Sequence, residues 1–205
     1  MLQHILNKRA ITKLRLYTTK TTSVSYPFGL LNLKIGYIKD VQLHPNSDKM
    51  YVSQIQLANH ADSPEVKQVC SGVRNYIPID QFHKQLVVVV DNMKKCKLRG
   101  EISESMVLCG DDEASSVQIC KPQLYDASLI GRQVVLEGES DENVTSRKIK
   151  SKEWGDISAR LYVNDRNQAV YFDQVTKKER LLCVYNNSTT IPIVVEGLPV
   201  GSKIR

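Results

Sequence analysis

Nothing in this chain of 205 residues approaches the run of about 18 apolar residues that a membrane-spanning helix needs, so no membrane insertion is expected. The longest apolar stretch, residues 86–90, has the length and β-branching of a buried strand. The five cysteines (Cys70, Cys96, Cys109, Cys120, Cys183) form no CxxC pair. The four histidines (His4, His44, His60, His83) show no HxxxH spacing, so the paired ligands of a structural zinc site are missing. An odd cysteine count without a framework fits free thiols in a reducing compartment. The glycine-rich phosphate loops G-x-x-x-x-G-K-[ST] and G-x-G-x-x-G are absent, and so is the nucleophile elbow G-x-S-x-G. No catalytic constellation, metal site or cofactor site is therefore assigned, and the chain is not read as an enzyme.

Acidic residues are missing from the first part of the chain; the first is Asp40. Residues 1–27 hold five of the 28 basic residues, which leaves 23 against 22 acidic ones in the remainder. Five of the six net positive charges thus belong to the leader, and any basic footprint on the nearly neutral rest must be local. Within the leader, Leu2, Ile5, Leu6, Leu14 and Leu16 alternate with His4, Lys8, Arg9, Lys13 and Arg15, and hydroxyls follow from Thr18 to Ser25. Wound as a helix this gives an apolar and a cationic face, the composition of a mitochondrial transit peptide. A processing site after Tyr17 and a matrix location are expected; a basic arm that touches RNA directly is the alternative.

From residue 31 the pattern turns to β. A first strand runs through Leu33, Ile35 and Tyr37 to Leu43, and His44 to Asp48 has turn chemistry. Residues 50–57 alternate as a second strand, and residues 67–73 form a third. Residues 77–82 make a short helical crossover with Pro78 near its start, residues 85–91 a fourth strand and residues 106–109 a fifth. Residues 117–120 and 133–136 add short strands. Five short strands with a helix between the third and fourth suit a five-stranded Greek-key barrel; a sandwich fits the periodicity as well. An acidic, apolar-poor stretch at 137–143 and a basic one at 147–152 then read as a connector. Beyond it, Trp154, Ile157, Leu161 and Tyr162 suggest a helix that packs back, and residues 169–172, 181–185 and 191–195 are further strands.

Three stretches carry a resemblance. They are His44-Pro45-Asn46-Ser47-Asp48-Lys49-Met50-Tyr51, then Cys70-Ser71-Gly72-Val73-Arg74-Asn75-Tyr76-Ile77-Pro78, then residues 92–108 with the pattern N-x-K-x-x-K-x-R-G-x-x-S-x-x-M. Together they resemble the tRNA-binding domain appended to some methionyl- and tyrosyl-tRNA synthetases and found in free-standing synthetase cofactors and in endothelial monocyte-activating polypeptide II. The resemblance covers residues 30–136 and extends more weakly to 205, where Trp154, Leu161, Asn164 and Tyr171 look like the C-terminal extension of the eukaryotic cofactors. It departs at Lys95, where relatives usually carry proline, and at Ser47, where a small apolar residue is commoner.

The resemblance implies a mainly all-β chain: an oligonucleotide-binding (OB-fold) barrel over residues 28–140, with a C-terminal α+β extension over 147–205 packed against it. It implies a grip on the outer corner of folded tRNA with little sequence preference. A monomer is expected, because the extension occupies the surface through which bacterial relatives dimerise. The expected RNA contacts are Asn92, Lys94, Lys95, Lys97, Arg99, Ser103 and Met106. The four cations can neutralise phosphates, Ser103 can bond a phosphate or 2′-OH, and the Met106 thioether can lie against a base or sugar. Core packing on the fifth strand is the alternative for Met106, and holding the loop through its own backbone bonds the alternative for Asn92. Tyr37, Tyr51 and Tyr76 are candidate stacking platforms, with core or rim packing the favoured role for each singly. Arg147, Lys148, Lys150 and Lys152 form a second basic run, which either extends the RNA track toward the C-terminal part or is a solvated linker. Expected partners are tRNA and an aminoacyl-tRNA synthetase; the competing reading is a protein-interaction module with weak or lost RNA binding, motivated by the near-neutral remainder and by Glu101 and Glu104 beside the loop.

Overall fold

The computed structural model describes residues 27–58, 65–113, 116–142 and 144–205. The leader expected over residues 1–27, apart from Pro27, and the polar loop at 59–64 lie outside them.

The chain is built from short antiparallel strands, as the alternation of apolar and polar residues requires. β1 (Leu33–Leu43), β2 (Tyr51–Gln56) and β3 (Val66–Ser71) form a meander, and a single turn, α1 (Ile79–Phe82), leads to β4 (Leu86–Val90). A small hairpin of β5 (Cys96–Leu98) and β6 (Glu101–Ser103) follows, then β7 (Met106–Val107), β8 (Cys109–Asp111), β9 (Val117–Ile119), β10 (Lys121–Pro122) and β11 (Gln133–Leu136). After α2 (Ser151–Ser158) come β12 (Leu161–Val163), β13 (Ala169–Asp173), β14 (Lys178–Asn186), β15 (Thr189–Val194) and β16 (Lys203–Ile204).

β4 explains why its sequence is apolar without alternation. All five residues are buried, because both faces of the strand are covered. Val87 and Val89 join a core with Ile38, Tyr51, Ile55, Val69, Phe82 and Val107. Leu86, Val88 and Val90 join a second, larger core with Leu161, Val163, Leu182, Val184 and Ile193. β4 is thus the wall between the N-terminal strands and the C-terminal ones. β1 does the same by bending: Leu33 and Ile35 enter the larger core, a register shift between Ile38 and Asp40 turns the strand, and Ile38 enters the smaller one. Gly36 sits where this crossing is closest. A Cβ there would lie 2.6 Å from Ile55 Cγ2 and 3.0 Å from both Leu57 Cδ2 and Val89 Cγ2, so only glycine admits the approach.

The N-terminal strands run β3-β2-β1-β4-β7, all antiparallel. The expected barrel is not closed by a ladder: among the described residues no strand pair joins β3 to β7. Isolated bonds span the gap instead. Glu104 N donates to Gln68 O (2.9 Å), Cys70 N donates to Ser103 Oγ (3.0 Å), and Gln68 Nε2 donates to Ile102 O (2.9 Å).

The C-terminal strands continue the same sheet. β11 pairs with both β1 and β14, and β16 pairs with both β8 and β12, so the end of the chain is stitched to the first half. Two sequence expectations change here. The fifth strand is split, because Leu108 turns to bond Val88 and Cys120 while β8 takes β16 as its partner. Leu161 and Tyr162 are not helical: α2 ends at Ser158, and Leu161 and Val163 alternate inward with Tyr162 outward on β12, paired to β13. Period 2 wins over the helical pattern because β13 offers an edge to pair with.

Candidate nucleic-acid interface

The densest basic stretch of the described chain leaves the end of β4. Its root is Asn92, which is 2% exposed. Asn92 Oδ1 accepts from Asn32 N (3.0 Å), and Nδ2 donates to Leu30 O and to Arg147 O (2.8 Å each). Its own carbonyl accepts from Ile149 N (3.0 Å). The carboxamide is therefore spent on three backbone groups; Asn92 fixes the direction in which the loop leaves the core. Beside it, Asp91 takes hydrogen bonds from Lys67 and Lys34, the latter at 3.0 Å. Burial alone would raise the Asp91 pKa, but these two ammonium groups outweigh it and hold the carboxyl below its ordinary range.

The loop then folds into the β5–β6 hairpin, which places Lys97 opposite Ile102 and turns at Arg99 and Gly100, with φ of 46° and 109°. The first motif grips this turn from across the chain. Asn46 Nδ2 donates to Arg99 O (3.0 Å), and His44 Nε2 contacts Leu98 O (3.0 Å). Asn46 N donates to His44 Nδ1 (3.1 Å), so Nδ1 carries the lone pair and Nε2 the proton given to Leu98 O. Turn chemistry at residues 44–48 is visible in the sequence; the hold of that turn on a hairpin over 50 residues away carries no sequence signal.

Lys94, Lys95, Lys97 and Arg99 are all exposed. Lys95 pairs with Glu104 at 2.5 Å, and that hydrogen bond pulls the Glu104 pKa down. For Lys94, Lys97 and Arg99 no carboxylate lies within ion-pair distance among the described residues. These three present unneutralised charge. Ser103 is buried: Oγ accepts from Cys70 N and donates to Ser105 O (3.0 Å), bridging the gap between β3 and the hairpin. Met106 is half-buried, packed against the larger core and paired with Val90.

Between the end of β3, the basic loop and β7 lies a groove of about 360 Å³. Lys94, Cys96, Ser103 and Met106 line it, and so do Asp111 and Arg205, which pair with each other. Of the three tyrosines, Tyr51 is buried against Phe82 (ring centroids 5.6 Å apart) with its hydroxyl on Ile77 O, and Tyr37 packs on the larger core. Tyr76 alone is open, 47% exposed. The surface thus carries three unneutralised cations beside a groove whose lining is mainly apolar, with Val73, Met93, Leu98, Met106 and Val107 in it.

Residues 33–126 match the family described as "Putative tRNA binding domain". Among curated proteins, the chain is 31% identical over 156 residues to "Probable methionine--tRNA ligase" of Oryza sativa subsp. japonica, a match covering 76% of this chain and 19% of that one. It is 32% identical over 144 residues to "Aminoacyl tRNA synthase complex-interacting multifunctional protein 1" of Cricetulus griseus (69% and 37%). It is 33% identical over 128 residues to "tRNA-aminoacylation cofactor arc1" of Schizosaccharomyces pombe (62% and 27%). The matched region spans less than half the length of these relatives. The chain shares the fold of the C-terminal domain of Plasmodium vivax p43, with a TM-score of 0.72 and 22% identity over 87% of this chain and 99% of that one.

Proposed function

We propose, from the match of residues 33–126 to the family described as "Putative tRNA binding domain", that the protein holds tRNA by its backbone, with little sequence preference, and presents it to an aminoacyl-tRNA synthetase or another tRNA-handling protein. It acts by binding rather than by catalysing a reaction, as a monomer, in the mitochondrial matrix after removal of the leader. The observation that carries the reading is the hairpin that His44 and Asn46 hold in place, with Lys97 and Arg99 unneutralised on it and Lys94 on the loop that leads to it, beside an open groove. The amphipathic, acid-free composition of residues 1–27 supports the location.

Titration of labelled tRNA into the protein lacking residues 1–27 tests the binding. Affinity should fall with salt, with a slope of about −0.7 to −0.9 per neutralised phosphate. Lys94, Lys97 and Arg99 replaced together by Ala should lose most of that affinity with the fold retained. Absence of binding at low salt ends the reading. One observation favours a second reading, a protein-interaction module: the Lys95–Glu104 pair removes a cation from the loop. Under it, the triple variant leaves partner binding unchanged and shows no RNA effect. Import of the full chain into isolated mitochondria, with shortening near residue 17, tests the location.

A further inference from the structure

A second basic run, residues 147–152, lies outside the matched domain, and the hairpin reading makes no use of it. Across more than 50 positions of sequence, the fold brings it to the root of the hairpin. Asn92 Nδ2 donates to Arg147 O (2.8 Å), Ile149 N donates to Asn92 O (3.0 Å), and Lys148 Nζ reaches Asp91 O at 3.5 Å. A solvated connector would show neither those bonds nor a buried side chain, yet Ile149 is 5% exposed and sits in the larger core. With Ile149 turned inward, its neighbours Lys148 and Lys150 are exposed, and so is Lys152. The acid within reach is already committed: Glu153 pairs with Arg147 (3.1 Å) and accepts from Lys150 N (2.9 Å). α2 begins at Ser151, so its positive dipole end adds to the field on this side.

We infer that Lys148, Lys150 and Lys152 bind the sugar–phosphate backbone of the same folded RNA that Lys94, Lys97 and Arg99 hold, so that one cationic track passes over Asn92 from the hairpin to the C-terminal part. The inference rests on the tRNA reading and deepens it. It assigns RNA contacts to a segment beyond residue 126, and it requires a ligand longer than the hairpin. An extended polyanion with regularly spaced charges fits such a track; a short acidic segment meets only one end of it.

The test uses the full chain, a labelled tRNA transcript and fluorescence anisotropy from 50 to 300 mM salt. Lys148, Lys150 and Lys152 replaced together by Ala should weaken binding at least about tenfold near 100 mM salt and flatten the salt slope by about 2. Replacing the same three by Arg should restore both. Unchanged affinity and slope in the Ala variant, while the Lys94/Lys97/Arg99 variant loses binding, overturns the track and leaves tRNA binding standing. Lost affinity with an unchanged slope, or no rescue by Arg, overturns it too, since a structural role alone gives that result. Competition by polyglutamate as effective as by unlabelled tRNA assigns the run to an acidic protein and overturns the track. No binding by the unaltered chain removes both readings together.

Discussion

Asn92 spends its carboxamide on Asn32, Leu30 and Arg147, three backbone groups from three parts of the chain. Asn92→Ala leaves them unmet beside the core, so it should lower stability by about 3 kcal/mol, read as a lower urea midpoint. Asp91 and Lys67 give the protein opposite pH limbs. The Asp91 pKa is depressed in the fold, so its contribution is complete above the unfolded value near 3.9 and is lost as pH falls through the lower folded value. The Lys67 pKa is raised, since bonds to Asp91 and Glu65 outweigh its burial; its contribution is complete below about 10.4 and is lost as pH rises through the higher folded value. Asp91→Asn should flatten the acid limb of urea midpoints measured between pH 2 and 6. The thiols separate by exposure. Burial pushes Cys109 up to about 12 and Cys183 to about 11, and Cys96 is the one exposed cysteine. One thiol of five should therefore react quickly with an alkylating reagent in the native protein, and bound tRNA should shield it. The sequence offers Asn92 either as an RNA contact or as a holder of the loop, and Ser103 as an RNA contact; the partners of their inward bonds, Leu30, Arg147 and Cys70, are far off in sequence and leave no local signal.

At the scale of elements, the strands with clean alternation or continuous apolar runs, β2 and β4, stand where their patterns put them. The β5–β6 hairpin had no such signal. Its residues are mostly exposed, and it exists because His44 and Asn46 hold the turn and Ser103 holds the far strand. Ser103→Ala should leave Cys70 N unbonded at the open seam, cost about 1–3 kcal/mol and speed hydrogen exchange in β3 and β6 first. Gly36→Ala should cost a similar amount through overpacking, about 1–3 kcal/mol, because β1 is hydrogen-bonded both to β2, which brings Ile55 to 2.6 Å, and to β4, which brings Val89 to 3.0 Å, and cannot retreat from either.

At the scale of the molecule, the larger core draws on strands from both ends of the chain: β4 and β11 share it with β12, β13 and β14, and β11 is hydrogen-bonded to β14. A fragment ending at residue 140 would expose Val88, Val134 and Leu136. It is expected to aggregate or to unfold at much lower urea than the full chain, as size-exclusion and chemical denaturation would report. By itself the sequence determined the β class, the positions of the strongly patterned strands and the three motifs, because periodicity and turn chemistry are local properties that neighbouring residues suffice to set. Only the tertiary structure decided that β4 divides two cores, that the sheet leaves a seam between β3 and β7, and that residues 147–152 meet the hairpin at Asn92. Those outcomes depend on which distant backbone groups find each other once burial forces every inward N–H and C=O to take a partner.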